Sequence, residues 1–245
     1  MPTKIKIVFA VLLVSITFSI SGFSQEIAAS DSAPIPTSAP SSADIIRQRV
    51  AKAKAYIAVK NFSAAIYELE NIKRETSDST LDSVINVLLM NSYLEQNNYK
   101  RAESFLTELS NAQKSGSASA AQSYFAVAAQ VIRGAKTQLE RYHSLGLNVA
   151  DRNLPTEAAV DIENMRKMLE LIVEQSKDLG KNSQNIDTAM ALLEGATNAR
   201  GNLAKDAYDA NRWKTEVTDA REMLASSRST VIDATNPQVA QKEEI

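Results

Sequence analysis

The 245-residue chain sets 27 Lys and Arg against 29 Asp and Glu, a formal charge of -2, and contains no cysteine. Without thiols there are no disulfides, thiolate metal centres, cysteine nucleophiles or lipid attachment through an N-terminal cysteine, and a mildly acidic chain with no basic block is a poor fit to nucleic acid. Abundant Ala with only 7 Gly and 6 Pro favours helices over strands, so the expected fold class is all-α.

Residues 1–24 open with Lys4 and Lys6, run apolar from Ile7 to Ile20 and close on Ser21-Gly22-Phe23-Ser24. This pattern predicts a secretory signal peptide cleaved before Gln25, and with it a periplasmic or secreted protein of bacterial type. The apolar run carries Ser15, Thr17 and Ser19 and falls short of the roughly 20 residues a membrane span needs, so no stable membrane insertion is expected after cleavage. An uncleaved anchor is the alternative. Residues 25–43, with Pro34, Pro36 and Pro40 among Ser and Ala, predict a flexible linker.

Helical periodicity begins at Asp44. Ser41 with Asp44 fits a capping box, and Ile46, Val50, Ala53 and Ile57 then recur at steps of three and four, giving one apolar face. Lys60-Asn61 predict a turn, and Phe62 to Arg74 a returning helix with Ile66, Leu69 and Ile72 inward. Ser79 with Asp82 is a second capping-box candidate. The helix after it carries Leu81, Val84, Ile85, Leu88, Leu89 and Leu94, a face broad enough to be covered on two sides. Asn97-Asn98 turn the chain into a helix over Tyr99 to Ala112.

These two hairpins share a pattern. Tyr56 and Tyr93 are each followed by Asn (Asn61, Asn98), an aromatic (Phe62, Tyr99), Ala (Ala65, Ala102), Leu (Leu69, Leu106) and an aliphatic (Ile72, Leu109), all at one offset of 37 residues. Small Ala at the start of each second helix lets the first helix approach closely, and the Tyr fills the wedge between them. The pattern resembles the tetratricopeptide repeat, a helix-turn-helix unit with Tyr on its first helix and Ala, then a large apolar residue, on its second. The resemblance covers 44–113 and implies stacked hairpins whose first helices line a groove for a protein or peptide partner. Lys54 and Asn91, two residues before each repeat Tyr, are the partner-binding candidates it implies, with Val50 and Val87 flanking them.

After Lys114-Ser115-Gly116-Ser117, residues Ala118 to Ser144 predict one long helix, apolar at Phe125, Ala128, Val131, Ile132 and Leu139. The Tyr-to-Ala spacing does not recur there, and this helix is expected to cap the array. Gly146 to Pro155 is a break. The next helix has Ile162, Met165, Leu169, Ile172, Ser176 and Leu179 on one face and should end at Gly180; coiled-coil and bundle packing both fit it. Ser183 is a cap candidate for a helix with Ile186, Ala189, Leu193, Ala196 and Leu203 inward. Its Gly195 and Gly201 signal either close helix approach or a bend. Asn211 to Lys214 resemble the turn at Asn97, and Val217, Ala220, Met223 and Leu224 continue an amphipathic helix. Residues 117–232 therefore predict a helical extension or bundle, and 233–245, with Pro237, a disordered tail.

Little here carries chemistry. His143 is the only histidine, so neither a His-containing triad nor a multi-His metal site can form within one chain. The acids Glu68 with Glu70, Asp161 with Glu163, and Glu170 with Glu174 read as solvated helix faces, and Trp213 as a core residue or else a partner anchor. No catalytic residue, cofactor site or metal site is assigned. The expected function is a non-catalytic scaffold binding a protein or peptide partner, with a place in cell-envelope assembly. A self-associating envelope spacer, paired through 155–230, and more remotely a carboxylate-dependent enzyme, are the alternatives.

Overall fold

The computed structural model describes residues 41–114, 117–182 and 185–235. The expected signal peptide, nearly all of the linker, the Ser183 cap and residues 236–245 lie outside them. Eight helices run in order among these residues, α1 (Ser42–Ala58), α2 (Phe62–Glu75), α3 (Ser79–Glu95), α4 (Tyr99–Gln113), α5 (Ala118–Ser144), α6 (Thr156–Leu179), α7 (Ile186–Asn202) and α8 (Ala207–Thr235). No strand occurs among the described residues, and the fold is all-α.

The helices form antiparallel hairpins stacked in series. Every helix packs on its sequence neighbours, and the odd-numbered helices also pack on one another, α1 on α3, α3 on α5 and α5 on α7, while α4 meets α6. The substantial contacts thus join helices one or two places apart in the chain. Ala65 and Ala102 are fully buried where the first and second helices of each hairpin meet. Tyr93 stands edge-on to Phe105 at 5.8 Å between ring centres, filling the wedge between α3 and α4. Helix α5, expected to cap the array, is its centre: it touches α3, α4, α6 and α7.

The turns explain the spacing of the repeat. At the end of α1, Asn61 N–H donates to Tyr56 C=O (2.8 Å) and Lys60 N–H to Ile57 C=O (2.9 Å). At the end of α3, Asn98 N–H donates to Tyr93 C=O (2.9 Å) and Asn97 N–H to Leu94 C=O (3.0 Å). Each is a Schellman motif, and each places one residue in left-handed backbone, Lys60 at φ 58° and Asn97 at φ 55°. Asn61 and Asn98 then cap the following helix, their side chains accepting from Ala64 and Arg101 N–H.

The same geometry closes α5, where no repeat was legible. Leu147 N–H donates to Tyr142 C=O and Gly146 N–H to His143 C=O, both at 2.9 Å, with Gly146 at φ 73°. Tyr142 is therefore the counterpart of Tyr56 and Tyr93, four residues before the left-handed position in all three. Helix α7 ends differently: Leu203 N–H donates to Ala199 and Arg200 C=O and Ala204 N–H to Gly201 C=O, with no left-handed residue after them. Close approach between first helices is set by absent side chains: a Cβ on Gly134 would lie 3.0 Å from Leu94 Cδ1, and one on Gly195 3.3 Å from Ile132 Cδ1. Gly195 thus marks close approach, not a bend.

Helix α1 starts at Ser42 on the expected capping box, the Ser41 hydroxyl accepting from Asp44 N–H and donating to the Asp44 carboxylate. Other expectations need correction. The cap of α3 is Asp78, not Ser79, because its carboxylate reaches both Thr80 and Leu81 N–H. Asn211 to Lys214 are not a turn. They lie inside α8, whose entry is set one turn earlier, where Asp206 accepts from Asp209 N–H (2.8 Å). That helix continues to Thr235, so the first three residues of the expected tail are helical.

Candidate functional site

Tyr99, Tyr142 and Asp161 meet where the second hairpin packs on the third. The turn at Asn97-Asn98 starts α4 with Tyr99, the Schellman turn at Gly146 fixes Tyr142 in the last turn of α5, and Asp161 lies in the second turn of α6. The Tyr99 hydroxyl donates to Asp161 Oδ1 at 2.5 Å and the Tyr142 hydroxyl to Oδ2 at 2.6 Å, and the Gln138 amide also donates to Oδ2. Asp161 is only 7% exposed. Burial, reinforced by the bond to Asp161, pushes the Tyr142 hydroxyl up to about 12 and that of Tyr99 further, so both stay protonated donors. Phe62, the repeat partner of Tyr99, has no hydroxyl, so this hub exists only at the second copy.

Beside the hub lies an open cavity of about 320 Å³, lined by Asn97, Tyr99, Thr156, Glu157, Val160, Asp161 and Asn164. The α6 residues are spaced three and four apart and so share one face. Val160 is exposed to 54% at its rim. Glu157 sits in the first turn of α6, where the helix dipole favours an acid.

Lys54 and Asn91 are placed apart from this cavity. Lys54 is exposed on α1. Asn91 is half-buried between α3 and α5, where its side-chain oxygen accepts from Gln130 Nε2 at 2.9 Å. Val50 is buried and Val87 packs against the core. The inner face of α3 is thus covered by α5 at this point.

The other acids have defined partners. Glu68 is held below the usual carboxylate range by Arg49 (2.6 Å) and Lys52 (3.2 Å). Glu70 accepts from the Tyr93 hydroxyl at 2.8 Å. Glu163 pairs with Arg166 and Lys205, Glu170 with Arg200, and Glu174 with Lys177. Each acid of the three sequence pairs therefore turns to a different donor.

Two buried arginines were not singled out from the sequence. Arg166 donates to Leu203 C=O (2.5 Å) and Val149 C=O (3.3 Å), tying α6 to the C-terminal end of α7 and to the loop that precedes α6. Arg200 bonds Glu170 and both oxygens of Asp209, and its guanidinium lies 4.9 Å from the centre of the Trp213 ring. Trp213 is a core residue whose Nε1–H donates to Asp209 at 3.1 Å. His143 is exposed in the last turn of α5. Among the described residues no three acids, His or Cys gather as a metal site, and no helix is long and apolar enough to cross a membrane.

No protein family, curated protein or solved structure matches the chain.

Proposed function

We propose that the chain is a non-catalytic scaffold that holds a protein or peptide partner, exported to the periplasm or secreted through its N-terminal segment, with a role in assembling the cell envelope. The observation that carries this reading is the serial stacking of hairpins through a recurring Tyr-to-turn geometry, which supports the resemblance to tetratricopeptide repeats. Such stacks present extended surfaces, since each unit contacts only its neighbours. The buried polar side chains of Glu68, Arg166 and Arg200 hold helices together, which fits a rigid scaffold better than a reaction centre.

Affinity capture from envelope extract tests it. The purified protein should retain a defined partner set, and Ala102→Trp, which overpacks the α3–α4 wedge at a cost of about 1–3 kcal/mol, should lose it. Retention of the same partners by a variant whose hairpin is shown to be disrupted would exclude binding through the repeats.

A further inference from the structure

The cavity beside Asp161 is lined by two acids, Asp161 and Glu157. Asp161 is more than nine-tenths buried and accepts three hydrogen bonds, all from neutral donors, which leaves acceptor capacity on Oδ1, the oxygen bonded to Tyr99 alone. Among the described residues no Lys or Arg lies within ion-pair distance of Asp161 or Glu157. Arg141, the cation whose field reaches Tyr99 and Tyr142, is engaged by Gln138 (3.1 Å) and by Glu95 (3.4 Å). Glu157 stands one helical turn before Asp161 on the same face. The first turn of α6 offers its dipole to Glu157, and Asp161 lies beyond that turn.

A purely structural hub accounts for Asp161 with its two tyrosines and Gln138. It does not account for the open volume of about 320 Å³, for Glu157 facing it, or for the exposed Val160 between the two acids. Two acids flanking an exposed apolar side chain are complemented by a cation that lays its own apolar stem along that side chain.

We propose that this cavity receives a Lys or Arg side chain of a protein partner. The cationic head meets Asp161 and Glu157, the amides of Asn97 and Asn164 flank it, and the methylene stem lies along Val160 and the Tyr99 ring. It rests on the reading of the chain as a partner-holding scaffold and adds the chemistry of what is held. An acidic peptide is repelled at the same place.

NMR titration of the ¹⁵N-labelled protein with N-acetyl-lysine methylamide and N-acetyl-arginine methylamide tests this directly. Binding of a single residue is expected at about millimolar strength, with amide shifts centred on Asn97, Val160 and Asn164 and weakened by added salt. Glu157 is exposed, so Glu157→Gln should keep the fold and weaken binding about threefold. Equal shifts with the norleucine derivative, shifts spread away from α6, or an unchanged affinity in Glu157→Gln would each overturn the assignment. Binding of spermidine without binding of the lysine and arginine derivatives would overturn the protein source and leave a polyamine site. Basic derivatives that bind while envelope capture fails would refute the scaffold reading alone, and the reverse would refute the cavity alone.

Discussion

Tyr93, Tyr99, Tyr124 and Tyr142 each place a hydroxyl among helices, and burial raises all four above the ordinary value of 10.0. Tyr93 and Tyr142 reach about 12. The unfolded chain releases these protons first, so it binds fewer protons than the native state above the ordinary tyrosine value. Stability is then full below pH 10 and falls as pH rises through about 12. Urea unfolding followed by circular dichroism at stepped alkaline pH should show this loss, and Tyr142→Phe should reduce its slope. A urea midpoint that stays constant across this window would remove the tyrosines as the cause.

At the scale of elements, the first two hairpin turns impose a cost that their sequences meet unequally. Left-handed backbone costs an ordinary L-residue about 1–2 kcal/mol, whereas Asn tolerates it better. Lys60→Gly should therefore stabilise the protein by about 1 kcal/mol, after allowance for the greater freedom of glycine in the unfolded chain. Asn97→Gly should change stability by under about 0.5 kcal/mol. Denaturant midpoints of the two variants check the contrast, and an equal gain at both sites would show that turn strain is not the difference.

These turns also decide what could be read from sequence. The first two hairpins were legible because one Asn both finishes the Schellman motif and caps the next helix, which locks Tyr, Asn and Ala into fixed spacing. In the third, chain from Leu147 to Pro155 separates those two jobs, so Tyr142 no longer stands at a fixed distance from α6. In the fourth, α7 ends without the left-handed turn, so no tyrosine is tied to one. Helix α5 was legible to the residue, since its apolar periodicity is local. The Asp161 hub was not, because Tyr99 and Asp161 are 62 residues apart and only packing brings them together. Asn91 looked like surface from its own helix, and became an interior partner once Gln130 of α5 lay against it.

For the whole molecule, serial contacts make stability a sum of local units and their shared faces. Helix α5 meets four other helices, whereas α1 packs on α2 and α3, and α8 chiefly on α7. Native-state hydrogen exchange should therefore find the slowest amides in the middle of α5, around Val127 to Ala135, and faster ones in α1 and in α8 beyond Leu224. Uniform protection from end to end would mean that the chain unfolds as a single cooperative unit.

The long connection after Gly146 has a practical use. Val149 is buried and its carbonyl is held by Arg166, but Ala150 to Asn153 are exposed and linked locally by Asp151 accepting from Asn153 N–H. A peptide tag or fluorophore grafted there should leave the helix ends on either side undisturbed. At Asn61 or Asn98 the same graft would break a turn and a cap together. The exposed stretch from Ala150 to Asn153 is thus the natural attachment point along the chain.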